Sequence, residues 1–253
     1  MTPLSSSRPE PSVASAKVTT TATPVKPHGP GRLVTDAPMR MFHGLFALSF
    51  VGAYITADSE YWRLVHVVLG YTLAGLLAWR LVYGLVGPRP ARLSVLWRKV
   101  SGARAWLQTV VNTWRAGGSV RSQASQVGSQ IPWRQGQSLL MGLALVALLL
   151  AVIPLTVTGY ATFHEWGDVL GGDVFEELHE FLGDVYLMGV LVHLALLAWL
   201  SFTRRKNQAL PMLTGRIPGP GPDLIPNERR WLAVLVLASV LAYWVWELIQ
   251  RWA

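Results

Sequence analysis

Six histidines stand in this chain, and four of them, His43, His66, His179 and His193, fall in or at the ends of long apolar stretches. An ionisable side chain placed in lipid is costly, so it points to function by default. His179 and His193 are fourteen residues apart. On a helix that separation is about 21 Å, and fourteen steps of about 100° return to within about 40° of the starting direction. Both imidazoles therefore leave one face at two depths. His28 lies in a polar tail, and His164 reads as an ordinary residue of an outer turn.

The elements that carry these residues read as membrane spans. Half of the 253 residues are hydrophobic, 14% are charged, and there are 12 Trp. A soluble domain carries about a quarter charged residues, and Trp collects at bilayer interfaces. Five apolar runs cover about 41–57, 64–86, 138–160, 178–203 and 231–246. About 20 helical residues cross a bilayer, so the first only just suffices and the last needs its continuation to Trp252. Arg80 interrupts the second, and Pro154 is expected to kink the third.

The expected fold is an all-α integral membrane bundle: a four-helix core over 39–204 and a fifth transmembrane helix over 231–253. Residues 1–38 read as a disordered cytoplasmic tail, 88–136 as a basic cytoplasmic loop, and 205–230 as a cytoplasmic linker. Within the basic loop, Leu96, Trp97, Val100, Ala103, Trp106, Leu107, Val110 and Trp114 recur at helical spacing among Arg98, Lys99, Arg104 and Arg115. That pattern suits a helix lying in the interface against anionic lipid.

Charge sets the expected orientation. Residues 87–137 hold eight basic residues and no acidic one, 204–230 hold six and two, and 161–177 hold five acidic residues and no basic one. Basic segments stay cytoplasmic, so the amino terminus is expected inside and the carboxyl terminus in the periplasm. Inner and outer take this sense throughout. The net charge of +8 is thus a topology signal and not a nucleic-acid footprint. The absence of cysteine excludes disulfides, thiolate-held clusters and covalent haem attachment.

With these directions the histidines pair by depth, His66 with His179 outside and His43 with His193 inside. Two imidazoles across a flat gap suit a six-coordinate haem iron, whereas zinc usually takes four ligands. Arg40 and Arg63 each precede a histidine by three residues on its face, toward the membrane surface, where a guanidinium would meet haem propionates. Gly70, one turn beyond His66, leaves room for a porphyrin or for a neighbouring helix. A transporter or channel using intramembrane histidines for metal or protons is the competing class, and a redox-inert membrane anchor a third.

The stretches RMFHGLFALSF, WRLVHVVLGYTLAGLLAWRLVYGLVGPRPAR, LTVTGY and EELHEFLGDVYLMGVLVHL resemble the bacterial di-haem cytochrome b561 family, including the b-type cytochrome subunits of nickel–iron hydrogenases. The likeness runs from about Met39 to Phe202. It implies two b haems with His43, His66, His179 and His193 as axial ligands. It also implies transmembrane electron transfer in the bacterial inner membrane, between a redox partner (a hydrogenase, a cytochrome c or another donor) and membrane quinone, within a larger oxidoreductase complex. The stretch SQIPWRQGQS departs from the family, which often has a Gly-His-Asn-Pro-like sequence before the third helix.

Reporter fusions active on one side of the membrane test the topology. Placed after Arg216 and after Ala253, they are expected to report opposite sides; the same side for both would reduce the spans to four.

Overall fold

Asp36 starts the membrane path. In the computed structural model, which describes residues 31–117, 133–167 and 173–252, Asp36 is fully buried. Its carboxylate accepts from the Met39 N–H at 3.4 Å, capping α1 (Ala37–Ile55). Pro38 falls in the first turn, where a missing N–H costs nothing. A turn and a short 3₁₀ segment, Glu60–Trp62, lead into α2 (Arg63–Val86). Next come α3 (Leu93–Ser101), α4 (Ala103–Gly117), α5 (Trp133–Phe163) and α6 (Val174–Arg204). The path ends with α7 (Leu210–Thr214) and α8 (Arg230–Trp252). Most of the tail, His28, residues 118–132 of the basic loop and Asp168 lie outside the described residues.

Among the described residues, four stretches are long and apolar enough to cross a membrane: Glu60–Val86, Trp133–Phe163, Val174–Arg204 and Arg230–Gln250. The last span is thus longer than its apolar run suggested. The first helix, 19 residues with Arg40 and His43 in it, is not among the four. Its length of about 28 Å still approaches the hydrocarbon thickness of about 30 Å. Helices suit this setting because they satisfy their own backbone where water is absent. Large apolar side chains such as Leu48, Ile55, Leu85, Leu150 and Phe202 stand outward, where acyl chains would cover them. Pro154 lies inside the uninterrupted α5, and the Thr158 hydroxyl donates to the Pro154 carbonyl at 2.8 Å.

The pairing of α5 with α6 is the most extensive in the bundle; α1 packs on α2, and α2 on α5. Phe50, Leu73, Leu77, Val152, Leu155 and Tyr186 form the core between these four helices. A second cluster, Phe42, Leu76, Val236 and Val240 with Trp79 and Trp244 beside it, fixes α8 to α1 and α2. There the Trp244 indole N–H donates to the Thr72 hydroxyl at 2.9 Å. The fifth helix therefore buttresses the four-helix core from the α1–α2 side. In the basic loop, the expected helix is two helices, α3 and α4, joined at Gly102. Trp106 covers Gly136 at the start of α5, where a Cβ would stand 2.5 Å from the indole.

The end of the tail is ordered, against expectation. Arg32–Leu33 (β1) pairs antiparallel with Arg216–Ile217 (β2), inside the segment read as a linker. The Leu33 N–H donates to Asp223 Oδ1 at 2.6 Å and the Ala37 N–H to the Glu228 carbonyl at 3.0 Å. Glu228 in turn accepts from Arg230, and that hydrogen bond first of all holds its carboxyl below the ordinary range. The segment turns at Gly215 (φ 79°), a left-handed conformation suited to glycine. The Gly215 carbonyl accepts from Val34 and Thr35, and a Cβ would meet the Thr35 carbonyl oxygen at 2.7 Å. Backbone donors of the 32–37 strap are thus satisfied by residues some 180 positions away, which composition does not reveal.

Tyr83 donates to the second carboxylate oxygen of Asp36, joining this cap to α2. Asp36→Ala removes a helix cap and leaves the Tyr83 hydroxyl without that acceptor, an expected cost of about 2–4 kcal/mol. Thermal unfolding in detergent should show a lowered midpoint, with Asp36→Asn much closer to wild type.

Candidate functional site

The two outer histidines meet. His66, one turn into α2, and His179, near the start of α6, have ring centroids 5.8 Å apart and planes at 90°. Each is oriented by a backbone carbonyl of a different helix. His66 Nδ1 lies 2.8 Å from the Ala53 carbonyl of α1, and His179 Nδ1 lies 3.0 Å from the Leu155 carbonyl of α5. A carbonyl only accepts, so each Nδ1 carries the proton and each Nε2 keeps its lone pair. That is the tautomer of a metal-ready imidazole, with the orienting bond such ligands usually have. The Ala53 carbonyl can accept from His66 because the last carbonyls of a helix lack backbone donors; the Thr56 hydroxyl shares it at 3.2 Å. Thr158 adds a contact to His179 Nδ1 at 3.3 Å. Gly159 lets that ring approach: a Cβ there would stand 2.8 Å from it.

The inner pair is less tied. His43 lies on α1 and His193 on α6, close enough to interact electrostatically. The Nδ1 of His193 is buried with no hydrogen-bond partner, an orphaned polar atom of the kind that asks for a ligand. The core cluster separates the two pairs. Phe50 follows His43 by seven residues, Leu73 follows His66 by seven, and Tyr186 is midway between His179 and His193. An apolar wall thus crosses the bundle between two histidine levels.

Gly70 borders open space, with nothing within 4 Å of a Cβ built there. Gly183, four residues after His179 as Gly70 is after His66, borders open space too; the shared spacing was the signal that could have found it. Arg63 is exposed, 4.0 Å from Glu60, a weak tie. Arg40 is drawn into the cap, donating to the Leu213 carbonyl at 3.4 Å, while its Nε is buried without a partner. His164 stacks on Tyr160 with centroids 4.0 Å apart, a local contact of the outer turn. No site role was expected for Leu155, Thr158, Gly159 or Ala53; the first three lie in the stretch LTVTGY that carries the family resemblance, but a backbone carbonyl or a glycine in an apolar run does not by itself mark a ligand's support.

These residues fit a haem better than a bare metal ion. Each level offers two imidazoles, and among the described residues no group of three or more His, Cys, Asp or Glu could hold a metal, short of zinc's usual four ligands. The outer rings stand edge to face with centroids 5.8 Å apart, Gly70 and Gly183 each border open space one turn further along the same helices, and the inner level holds an unpartnered imidazole nitrogen.

The family comparison agrees with this chemistry. Residues 34–215, most of the chain and the whole of the four-helix core, match the model of prokaryotic cytochrome b561. No curated protein and no solved structure matches the chain. The helical membrane bundle with its histidine levels and the family match together show that this chain belongs to the prokaryotic cytochrome b561 family, membrane proteins that bind b-type haem and carry electrons across the bilayer.

Proposed function

We propose that the chain holds two b haems, one between His66 and His179 and one between His43 and His193, and links a redox partner protein to the membrane quinone pool. The observation that carries this reading is the outer pair, in which both Nδ1 atoms are committed to backbone carbonyls and both Nε2 atoms are left for one ion between them. Haem so ligated supplies one-electron chemistry, and filled axial positions favour electron transfer over oxygen binding.

The protein's part is position and environment. Ala53 and Leu155 fix the two outer rings, and the Nδ1–H bonds raise the donor strength of Nε2. Gly159 keeps the His179 ring in place, and Gly70 and Gly183 keep side chains out of the approach. The wall of Phe50, Leu73, Leu77 and Tyr186 excludes water between the levels, so charge crosses as electrons and not as ions. Arg63 outside, and Arg40 inside through its spare Nε, are cations near each surface for haem carboxylates. The orientation follows the basic segments, with the amino terminus inside and the carboxyl terminus in the periplasm, and α3 and α4 lie along the inner leaflet.

Single histidine variants test the assignment. His66→Ala and His179→Ala should each lose mainly one redox centre in a potentiometric titration, and His43→Ala and His193→Ala the other. Any other grouping of the four would defeat the pairing.

A further inference from the structure

We propose that Arg80 is a binding residue for the acidic groups of the inner haem, and that its charge helps set that centre's potential. This rests on the reading of His43 and His193 as the inner ligands.

Arg80 follows His66 by fourteen residues, so its side chain leaves α2 within about 40° of the direction of His66. That is the same spacing that relates His179 to His193. It also follows Leu77 of the apolar wall by three residues, one turn to the inner side. The Phe42 and Trp79 rings are stacked with centroids 5.7 Å apart, and this brings their chain neighbours, His43 and Arg80, to one depth.

Arg80 is 7% exposed, and its Nη1 is buried without a hydrogen-bond partner. Nη1 occupies space that a Cβ at Gly84 would take, 2.7 Å away. A guanidinium stripped of water inside a bilayer calls for an anion. Asp36 acts on it electrostatically, but that carboxylate accepts from the Met39 N–H and the Tyr83 hydroxyl and makes no hydrogen bond with Nη1. A spare donor on a fork that binds carboxylates in pairs is left beside Gly84, about one turn to the surface side of the depth that Arg80 shares with His43. Haem b brings two carboxylates. Arg40 keeps only its Nε spare beside the bond to the Leu213 carbonyl, and Arg63 is at the outer surface, so Arg80 adds a second cation on the inner side.

The test uses the full chain in detergent or nanodiscs, with haem content and a potentiometric titration of the reduced α band. The inner centre is identified as the one lost in His193→Ala. In Arg80→Gln its reduced-to-oxidised ratio at a fixed potential should fall at least tenfold, about 59 mV for a one-electron couple, or the inner haem alone should be lost. The outer midpoint should stay, and Arg80→Lys should hold the inner midpoint close to wild type. Asp36→Asn combined with Arg80→Gln should leave the inner midpoint low; its return to wild type would show that Arg80 only balances Asp36, and would overturn the proposal. Unmoved midpoints in loaded Arg80→Gln protein, or loss of both haems in the Gln and Lys variants alike, would also overturn it while leaving the histidine assignment intact. Wild-type protein that carries no haem would instead overturn the proposed function itself.

Discussion

An imidazole inside a bilayer must find a partner for each ring nitrogen, and the arrangement of this bundle follows from how that demand is met. At the outer level one nitrogen of each ring is bound by protein and the other is not. The bonds come from α1 and α5, while the rings belong to α2 and α6, so all four helices of the core meet there. Shifting any one helix along its axis would break an orienting bond or part the rings. The position of the pair is thus a property of the whole core and not of a loop.

The rest of the structure keeps those helices in register. Between the levels the register is kept by close packing of Phe50, Leu73, Leu77, Val152, Leu155 and Tyr186. Toward the inner end, Asp36 is the common partner of the first turn of α1, of Tyr83 on α2 and, through the field of its charge, of Arg80. The β1–β2 strap holds Asp36 against the segment that leads to α8. The fifth helix lies beyond the residues that match the family and packs on α1 and α2 through Val236, Val240 and Trp244. Its contribution is to brace the helices that carry His43 and His66.

Much of this was readable in the sequence, because lipid restricts the chain to few solutions. Apolar runs became helices, and a fourteen-residue spacing gave two depths on one face. The reading weakened where local composition does not carry the information. The strap formed from a Thr- and Pro-rich tail because its partners come from residues 215–228. Arg40 has the right place on α1 for an acidic group, yet Gly215 brings the Leu213 carbonyl to it. Arg80 looked like an interruption of an apolar run until its burial and its spare nitrogen gave it a place. Gly159 and Gly183 were two glycines among many, and only the approach of His179 and the open space beside α6 distinguish them. Apolar runs also misjudged lengths: α8 extends well past Trp246, and the polar residues of α1 keep it outside the four clearly apolar spans.

In the proposed arrangement, two separate histidine pairs each hold one haem. A pyridine haemochrome assay against protein concentration, on wild-type protein saturated with haem, measures this directly. Two b haems per chain are expected; a reproducible ratio near one in fully loaded protein would contradict the two-pair assignment.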